Sequence, residues 1–250
     1  MTGDLAFALE LADAADAITL PRFRAVDLRV DTKPDATVVS DADKAAEDAI
    51  RDLIRARRPG ESVLGEEGGD EGGDVRWVVD PIDGTQNFVR GVPIWATLIA
   101  LEREGVSVAA VASAPGLRRR WWAERGGGAF ADGETIHVSH IVRLEDASVS
   151  VTSPRAMARA GYERQYMALS HAAWSSRGLG DFWQHCLVAE GAVDVVLEPE
   201  LNTWDYVPVQ LIVEEAGGRC TDFEGKPPAH GSSFLSTNGL LHDAVIAALR

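Results

Sequence analysis

The chain has 250 residues, 46% of them hydrophobic and 25% charged, enough apolar material for one sizeable core or two smaller ones, which excludes disorder as the default state. With 24 Lys and Arg against 39 Asp and Glu, its formal charge of −15 opposes attraction to nucleic acid or to an anionic membrane, so any anionic substrate must be held through something cationic. The two cysteines, Cys186 and Cys220, lack metal-ligand spacing and are too few for a secreted disulfide framework.

Leu5, Ala8, Leu9, Ala12 and Ala15 recur at helical spacing, so residues 5–20 are predicted as an amphipathic helix that Pro21 closes. No apolar run reaches membrane-spanning length, and a start containing Asp4 and Glu10 does not resemble a signal peptide, which predicts a cytoplasmic protein. Lys33, before Pro34 and Asp35, is predicted as an exposed loop cation. A second helix should follow Ser40, which caps it, with Asp41 and Asp43 at its positive end and Pro59 and Gly60 stopping it. Gly68 to Asp74, rich in glycine and acid, is predicted as a mobile surface loop. Short strand-like runs at Trp77–Val79, Ile94–Leu101, Val106–Ala112, Arg120–Ala123 and Ile136–Val138 predict a mainly antiparallel sheet, with Trp121 and Trp122 as sheet packing. His137 and His140 fall on opposite faces of the last strand, which argues against a metal pair. Alternation of strands and helices follows, with strands at Ser148–Thr152, Val193–Leu197, Arg219–Thr221 and Phe234–Ser236. The helices lie near Tyr162–His171, at Asp181–Ala189, after Asp205 and at the chain end. The pattern is α+β, predicted as two layers of a single domain over 1–250, with helices and antiparallel sheet to about 140 and an α/β half beyond.

Three segments place carboxylates beside apolar strands: Gly65-Glu66-Glu67, the run from Asp80 to Thr85, and Trp204-Asp205. The strand at Trp77–Val79 delivers Asp80 at its end, Pro81 turns the chain, and Asp83 returns within three residues, so both carboxylates can face one point. Gly84 frees the backbone, and its N–H with that of Thr85 can approach a phosphate at a helix start. Two carboxylates about 4 Å apart repel by roughly 4 kcal/mol at an effective dielectric near 20, so Glu66, Asp80, Asp83 and Asp205 together require a compensating charge. Neighbouring Lys or Arg in the sequence does not supply it, and hard oxygen donors without Cys or His point to Mg²⁺, with Mn²⁺ as a substitute. Taken alone, Asp43 is equally a helix-end carboxylate, and Asp205 equally a cap for the helix after it.

These residues resemble the inositol monophosphatase superfamily, whose signatures are matched by Gly65-Glu66-Glu67, by Asp80-Pro81-Ile82-Asp83-Gly84-Thr85-Gln86-Asn87-Phe88, and by Trp204-Asp205 with Glu215-Ala216-Gly217-Gly218 downstream. The resemblance spans nearly the whole chain and implies a layered αβαβα sandwich, a Mg²⁺-dependent phosphatase and a homodimer. It implies that Glu66, Asp80 and the carbonyl of Ile82 hold one metal, Asp80, Asp83 and Asp205 a second, and Glu66 a third through water. It further implies that Asp43 and Thr85 orient and deprotonate the attacking water. Within the superfamily, Gly91-Val92-Pro93-Ile94-Trp95-Ala96, Arg119-Arg120-Trp121-Trp122 and Gly180-Asp181-Phe182 are most similar to actinobacterial histidinol-phosphate phosphatases. Gln86, Tyr206 and Pro208 depart from the relatives' pattern, at positions expected to flank the mouth of the site.

The expected substrate is therefore a small phosphorylated metabolite, L-histidinol phosphate, with Asp181 and Glu198 as anionic partners for its cationic groups. An inositol-1-phosphatase or sugar phosphatase is the alternative within the same chemistry, and a catalytically silent binding protein is the alternative of another class. The complete set Glu66, Asp80, Asp83, Thr85 and Asp205 argues against the last.

Overall fold

The computed structural model describes residues 2–33 and 37–250; Pro34 and Asp35, beside which Lys33 was expected to lie on a loop, fall outside that range. Helix α1 (Gly3–Arg22) begins where the Thr2 side chain accepts the Leu5 N–H. It continues through Pro21 rather than ending there. A proline one turn from the end forfeits only its own bond to the preceding turn, and the Phe23 N–H still reaches the Thr19 carbonyl. A two-stranded ribbon, β1 (Val30–Thr32) and β2 (Val38–Ser40), which the sequence pattern did not indicate, leads into α2 (Asp41–Arg57). Ser40 and Asp43 close a reciprocal capping box at its start.

Strands β3 (Ser62–Gly65), β4 (Gly69–Asp70) and β5 (Val75–Asp83), the short helix α3 (Thr85–Val89), and β6 (Ala96–Arg103), β7 (Val106–Ala114), β8 (Arg119–Glu124), β9 (Gly128–Ala131) and β10 (Glu134–Ile136) complete the first half. They form an eight-stranded sheet in the order β10-β9-β8-β7-β6-β5-β3-β4, antiparallel except where β3 runs parallel to β5. The predicted mobile loop contributes β4, and Arg51 ties it down through Glu71 at 2.9 Å and the Gly69 carbonyl at 2.7 Å. Because β10 stops at Ile136, His137 and His140 lie past the strand rather than on its faces.

Next come β11 (Ser148–Val151), α4 (Pro154–Arg159), α5 (Glu163–Ala172), β12 (Ser175–Arg177), α6 (Asp181–Ala189), β13 (Val195–Leu201), α7 (Thr203–Glu215), β14 (Arg219–Thr221), β15 (Ser232–Thr237) and α8 (His242–Leu249). The five strands order as β12-β11-β13-β15-β14 in a mixed sheet. Alternate residues of β5 divide the cores. Trp77 and Val79 pack with α1 and α2, whereas Val78 packs with α6 and α7. In the second sheet Val196 and Phe234 join that central layer, while Val149, Val195 and Leu235 face α5 and α8. The result is five layers, αβαβα, rather than the two that the element pattern suggested. The reason lies in α7, whose Val207, Val209, Leu211, Ile212 and Val213 are all buried, so it offers apolar surface to a sheet on either side.

Candidate active site

Between Asp80 and Asp83 the pairing of β5 with β6 becomes irregular, and this break turns the chain toward the junction of the two sheets. The Ile82 N–H donates to Asp80 Oδ1 at 2.9 Å, and Thr97 Oγ1 donates to the Pro81 carbonyl at 2.8 Å, so the turn is held from both sides. From the second half, Asn202 caps α7, whose first turn includes Asp205. The helix thus begins before Asp205 rather than after it, and Asp205 Oδ2 accepts the Asn202 N–H at 2.9 Å. Asp83 Oδ2 accepts the Phe182 N–H at 2.7 Å and so satisfies an early N–H of α6, whose N-cap residue is Gly180. Asp181 is therefore not that helix's cap.

These placements bring oxygens of Asp80, Asp83 and Asp205 to within 4.8 Å of one another. Asp80 is 2% exposed. Burial, then the neighbouring carboxylates Glu66, Asp83 and Asp205, push its pKa well above the usual carboxylate range. Burial, then Asp181 and Asp205, does the same to Asp83. Burial raises Asp205 to about 7 against the hydrogen bonds from Asn202. Among the described residues no Lys or Arg forms an ion pair with any of the three. A trio of hard oxygen donors without a paired cation, Asp80 buried and Asp83 and Asp205 half-buried, fits a divalent cation, which would replace the missing positive charge.

Glu66 lines the same cavity, of about 610 Å³, but its carboxylate meets Lys33 Nζ at 2.8 Å, and Glu67 meets the same nitrogen at 2.6 Å. Lys33 is thus a site residue rather than an exposed loop cation, and basic compensation exists for part of the acidic set. Burial opposes its charge, yet the bonds to Glu66 and Glu67 raise its pKa overall. The β1–β2 ribbon carries Lys33 across 33 residues of sequence, a placement no local pattern encodes.

Asp43 is fully buried. Its Oδ2 accepts the Ser40 N–H at 2.8 Å and the Ser40 hydroxyl at 2.6 Å, while Oδ1 lies 3.2 Å from Thr85 Oγ1. Thr85 also reaches the Ile82 carbonyl at 2.9 Å. Burial raises Asp43 to about 6, partly countered by Ser40. Gly84, at φ 82°, starts α3, and a Cβ there would sit 3.0 Å from the Ile94 carbonyl, so both conformation and space require glycine.

A second cavity, of about 590 Å³, shares Asp83, Asp181 and Asp205 with the first and adds Glu198, His185, Arg155 and Arg159. Asp181 holds a left-handed backbone, φ 50°, its N–H donating to Thr152 Oγ1 at 3.0 Å and its Oδ2 accepting Asn87 Nδ2 at 2.8 Å. Burial raises it to about 6. Glu198 accepts from the Thr152 N–H at 3.2 Å, from the Thr152 hydroxyl and from the Gln184 amide, and burial raises it to about 8. Gln86 lines the first cavity, but Tyr206 and Pro208 do not flank the mouth. Both are buried in the central layer, where Tyr206 stacks near Phe234 at 5.6 Å. Sequence reading missed Thr152, Gln184, His185 and the α4 arginines, and named Asn87 only within the signature, without a role. Only tertiary contact gives them a place here.

The inositol monophosphatase family model matches residues 3–250 of the chain. Over 98% of its length the chain is 52% identical to a histidinol-phosphatase of Mycobacterium tuberculosis, covering 97% of that protein. It is 48% identical to a histidinol-phosphatase of Streptomyces coelicolor, covering 98% of this chain and 96% of that one. Among solved structures, an IMPase of Thermotoga maritima superimposes with a TM-score of 0.91 at 33% identity, covering 99% of this chain and 97% of the other. The extragenic suppressor protein suhB of Bartonella henselae gives 0.92 at 30% identity, covering 100% and 99%. Among the described residues no helix is long and apolar enough to cross a membrane.

Proposed function

The chain belongs to the inositol monophosphatase family and is a phosphoric monoester hydrolase, and from that premise we propose that it hydrolyses L-histidinol phosphate to L-histidinol and phosphate. What supports this substrate is the second cavity. Asp181 and Glu198 line it together, and neither forms an ion pair among the described residues. With its pKa near 6, Asp181 is ionised at neutral pH and is assigned the cationic amine. Glu198, raised to about 8 mainly by burial, is not the anionic partner expected from the sequence and is assigned a neutral hydrogen bond to the same alcohol. The two histidinol-phosphatase relatives favour the same reading.

Family members are metal-dependent, and the metal is proposed as Mg²⁺, with Mn²⁺ able to replace it and two or three ions per site. Glu66, Asp80 and the Ile82 carbonyl would hold one ion, Asp80, Asp83 and Asp205 a second, and Glu66 a third through water. Mg²⁺ bound there supplies Lewis-acid charge for the phosphoryl oxygens and the leaving alkoxide and makes water more acidic. The Gly84 and Thr85 N–H groups hold the phosphate at the start of α3. The Thr85 hydroxyl donates a hydrogen bond to Asp43 Oδ1, and as the water attacks, a water proton passes to Thr85 Oγ1 while the Thr85 proton passes to Asp43 Oδ1. Asp43, raised to about 6, is poised to take that proton near neutral pH. A homodimer is proposed from the resemblance, and a cytoplasmic site from the two unpaired cysteines.

The test is phosphate release by the purified protein with Mg²⁺ on histidinol phosphate, inositol-1-phosphate and fructose-1,6-bisphosphate. The expected result is the highest kcat/KM on histidinol phosphate. A higher value on inositol-1-phosphate would replace this substrate with a polyol phosphate, and no release from any of the three would favour a silent binding protein.

A further inference from the structure

Glu47 and Arg51 lie one turn apart on α2, Glu47 one turn beyond Asp43 on the same helix face, and are 1% and 5% exposed. A buried charged pair on a helix whose other inward residues are largely apolar requires a reason beyond stability, because apolar residues of similar size would pack there without a desolvation cost. The hydrogen bonds supply that reason. One Glu47 oxygen accepts the Glu67 N–H at 2.8 Å, and the other accepts the Gly68 N–H at 2.8 Å. Arg51 Nε braces the carboxylate at 2.8 Å, and Arg51 Nη2 donates to the Gly69 carbonyl at 2.7 Å. The carboxylate sits so close to this backbone that a Cβ on Gly65 would collide with it, and one on Gly68 would lie 2.7 Å from Glu47 Oε1. On the other side, the Glu66 N–H donates to the Val79 carbonyl of β5 at 3.2 Å. Glu66 is thus fixed between two anchors, the sheet before it and the Glu47 carboxylate after it.

We propose that Glu47, braced by Arg51, is a positioning residue that sets the path of the Gly65–Gly69 backbone and thereby aims Glu66 into the metal cavity. Two backbone donors aimed at one rigid carboxylate determine the direction in which the chain leaves β3, and hence the side on which residue 66 emerges. Glu47 lines neither of the two cavities. The inference rests on the proposed ligand role of Glu66.

The experiment measures Mn²⁺ binding to metal-free, full-length protein by calorimetry, alongside the melting temperature in EDTA and the Mg²⁺ concentration for half-maximal activity. The variants are Glu47→Ala, Glu47→Gln and, as a reference, Glu66→Gln. Loss of a residue that orients a metal ligand weakens metal affinity by about 10–100-fold, and Glu47→Ala should weaken Mn²⁺ binding within that range. Glu47→Gln keeps the shape and one acceptor but turns an amide toward the second backbone donor, so its loss should be smaller yet measurable. In both variants the Mg²⁺ activation constant should rise more than kcat at saturating Mg²⁺ falls. If Glu47→Ala does not fold, Glu47→Gln decides alone. Wild-type Mn²⁺ affinity in folded Glu47→Gln, with Glu66→Gln weakened, would overturn the positioning role, even if the melting temperature dropped. Wild-type affinity in Glu66→Gln would instead overturn the ligand assignment, and the positioning role with it.

Discussion

The acidic residues at the junction of the two sheets meet two different fates. Glu66 and Glu67 have a built-in counter-charge, because Lys33 Nζ lies within 2.8 Å of both. Asp80, Asp83 and Asp205 converge to within 4.8 Å with no cation paired to them among the described residues, and Asp181, on the adjoining cavity, holds the Asn87 amide on its carboxylate. The first group is partly compensated by folding, one positive charge set against two carboxylates. The second has no paired cation among the described residues, and under the proposed function a divalent cation completes the three aspartates and a substrate cation completes Asp181. On that proposal, a protein of charge −15 would bind an anionic phosphate with added cations rather than its own.

That contrast makes measurable predictions, the largest at Asp80. Asp80→Asn removes a shared ligand while relieving carboxylate repulsion, so kcat/KM should fall by at least about 10²–10³-fold, the usual cost of one preorganised transition-state contact. The metal-free melting temperature should stay level or rise. Undiminished turnover by a well-folded Asp80→Asn protein would break the distinction between the two groups.

Asp181→Ala should lower kcat/KM for histidinol phosphate by roughly ten- to a hundred-fold, because a charge-assisted hydrogen bond contributes about 1.5–3 kcal/mol. Inositol-1-phosphate has no cation to pair, and its hydrolysis should stay level or improve. Initial rates on both substrates at fixed Mg²⁺ separate the outcomes, and equal losses would return Asp181 to a structural role.

The pH dependence of stability should sharpen the contrast further. Asp205 is raised to about 7 from 3.8, with Asp80 and Asp83 raised in the same direction, all mainly by burial. A carboxyl whose folded pKa exceeds its unfolded value contributes stability that is complete below the unfolded value and lost as pH rises through the folded one. Metal-free protein should therefore lose this contribution between about pH 4 and 7, and saturating Mg²⁺ should restore it increasingly toward pH 7. His185 and His242, lowered to about 3 and about 4, act in the opposite sense. The difference between wild-type and Asp80→Asn melting curves in EDTA isolates the cluster from them. A difference that does not change with pH would mean that the aspartates are not coupled in the folded state.

The smallest effect is expected at Lys33. Lys33→Gln leaves Glu66 and Glu67 without their counter-charge, and a partly exposed pair contributes at most about 1 kcal/mol. Metal-free melting should fall slightly, and the rise in melting temperature on adding Mg²⁺ should grow. An unchanged Mg²⁺ response would show that the two groups are electrically independent.

The local signals in the sequence were legible wherever one segment carries the whole message. The turn from Asp80 to Thr85, the Ser40 cap of α2 and the order of most strands and helices emerge from apolar period, proline and glycine positions and short-range capping. Errors arose where a local rule met a competing term. Pro21 did not end α1, since a last-turn proline forfeits little. Asp205 sits inside α7, since Asn202 takes the cap. The acidic loop after Gly68 is not free, since Arg51 holds it from the neighbouring helix.

By itself the sequence determined which oxygen donors exist, how each is delivered at a strand end or helix start, and that their summed charge calls for a cation. These are properties of composition and of residues within a few positions of one another. Only the tertiary structure decided which carboxylates are already paired and which are not. Lys33 reaches Glu66 over 33 residues and Asn87 reaches Asp181 over 94, while Asp205 joins Asp80 from the opposite half of the chain. Whether a charge is compensated depends on distances of a few ångströms in a partly dry interior, and those distances follow from how the two sheets stack on their shared helices rather than from any spacing along the chain.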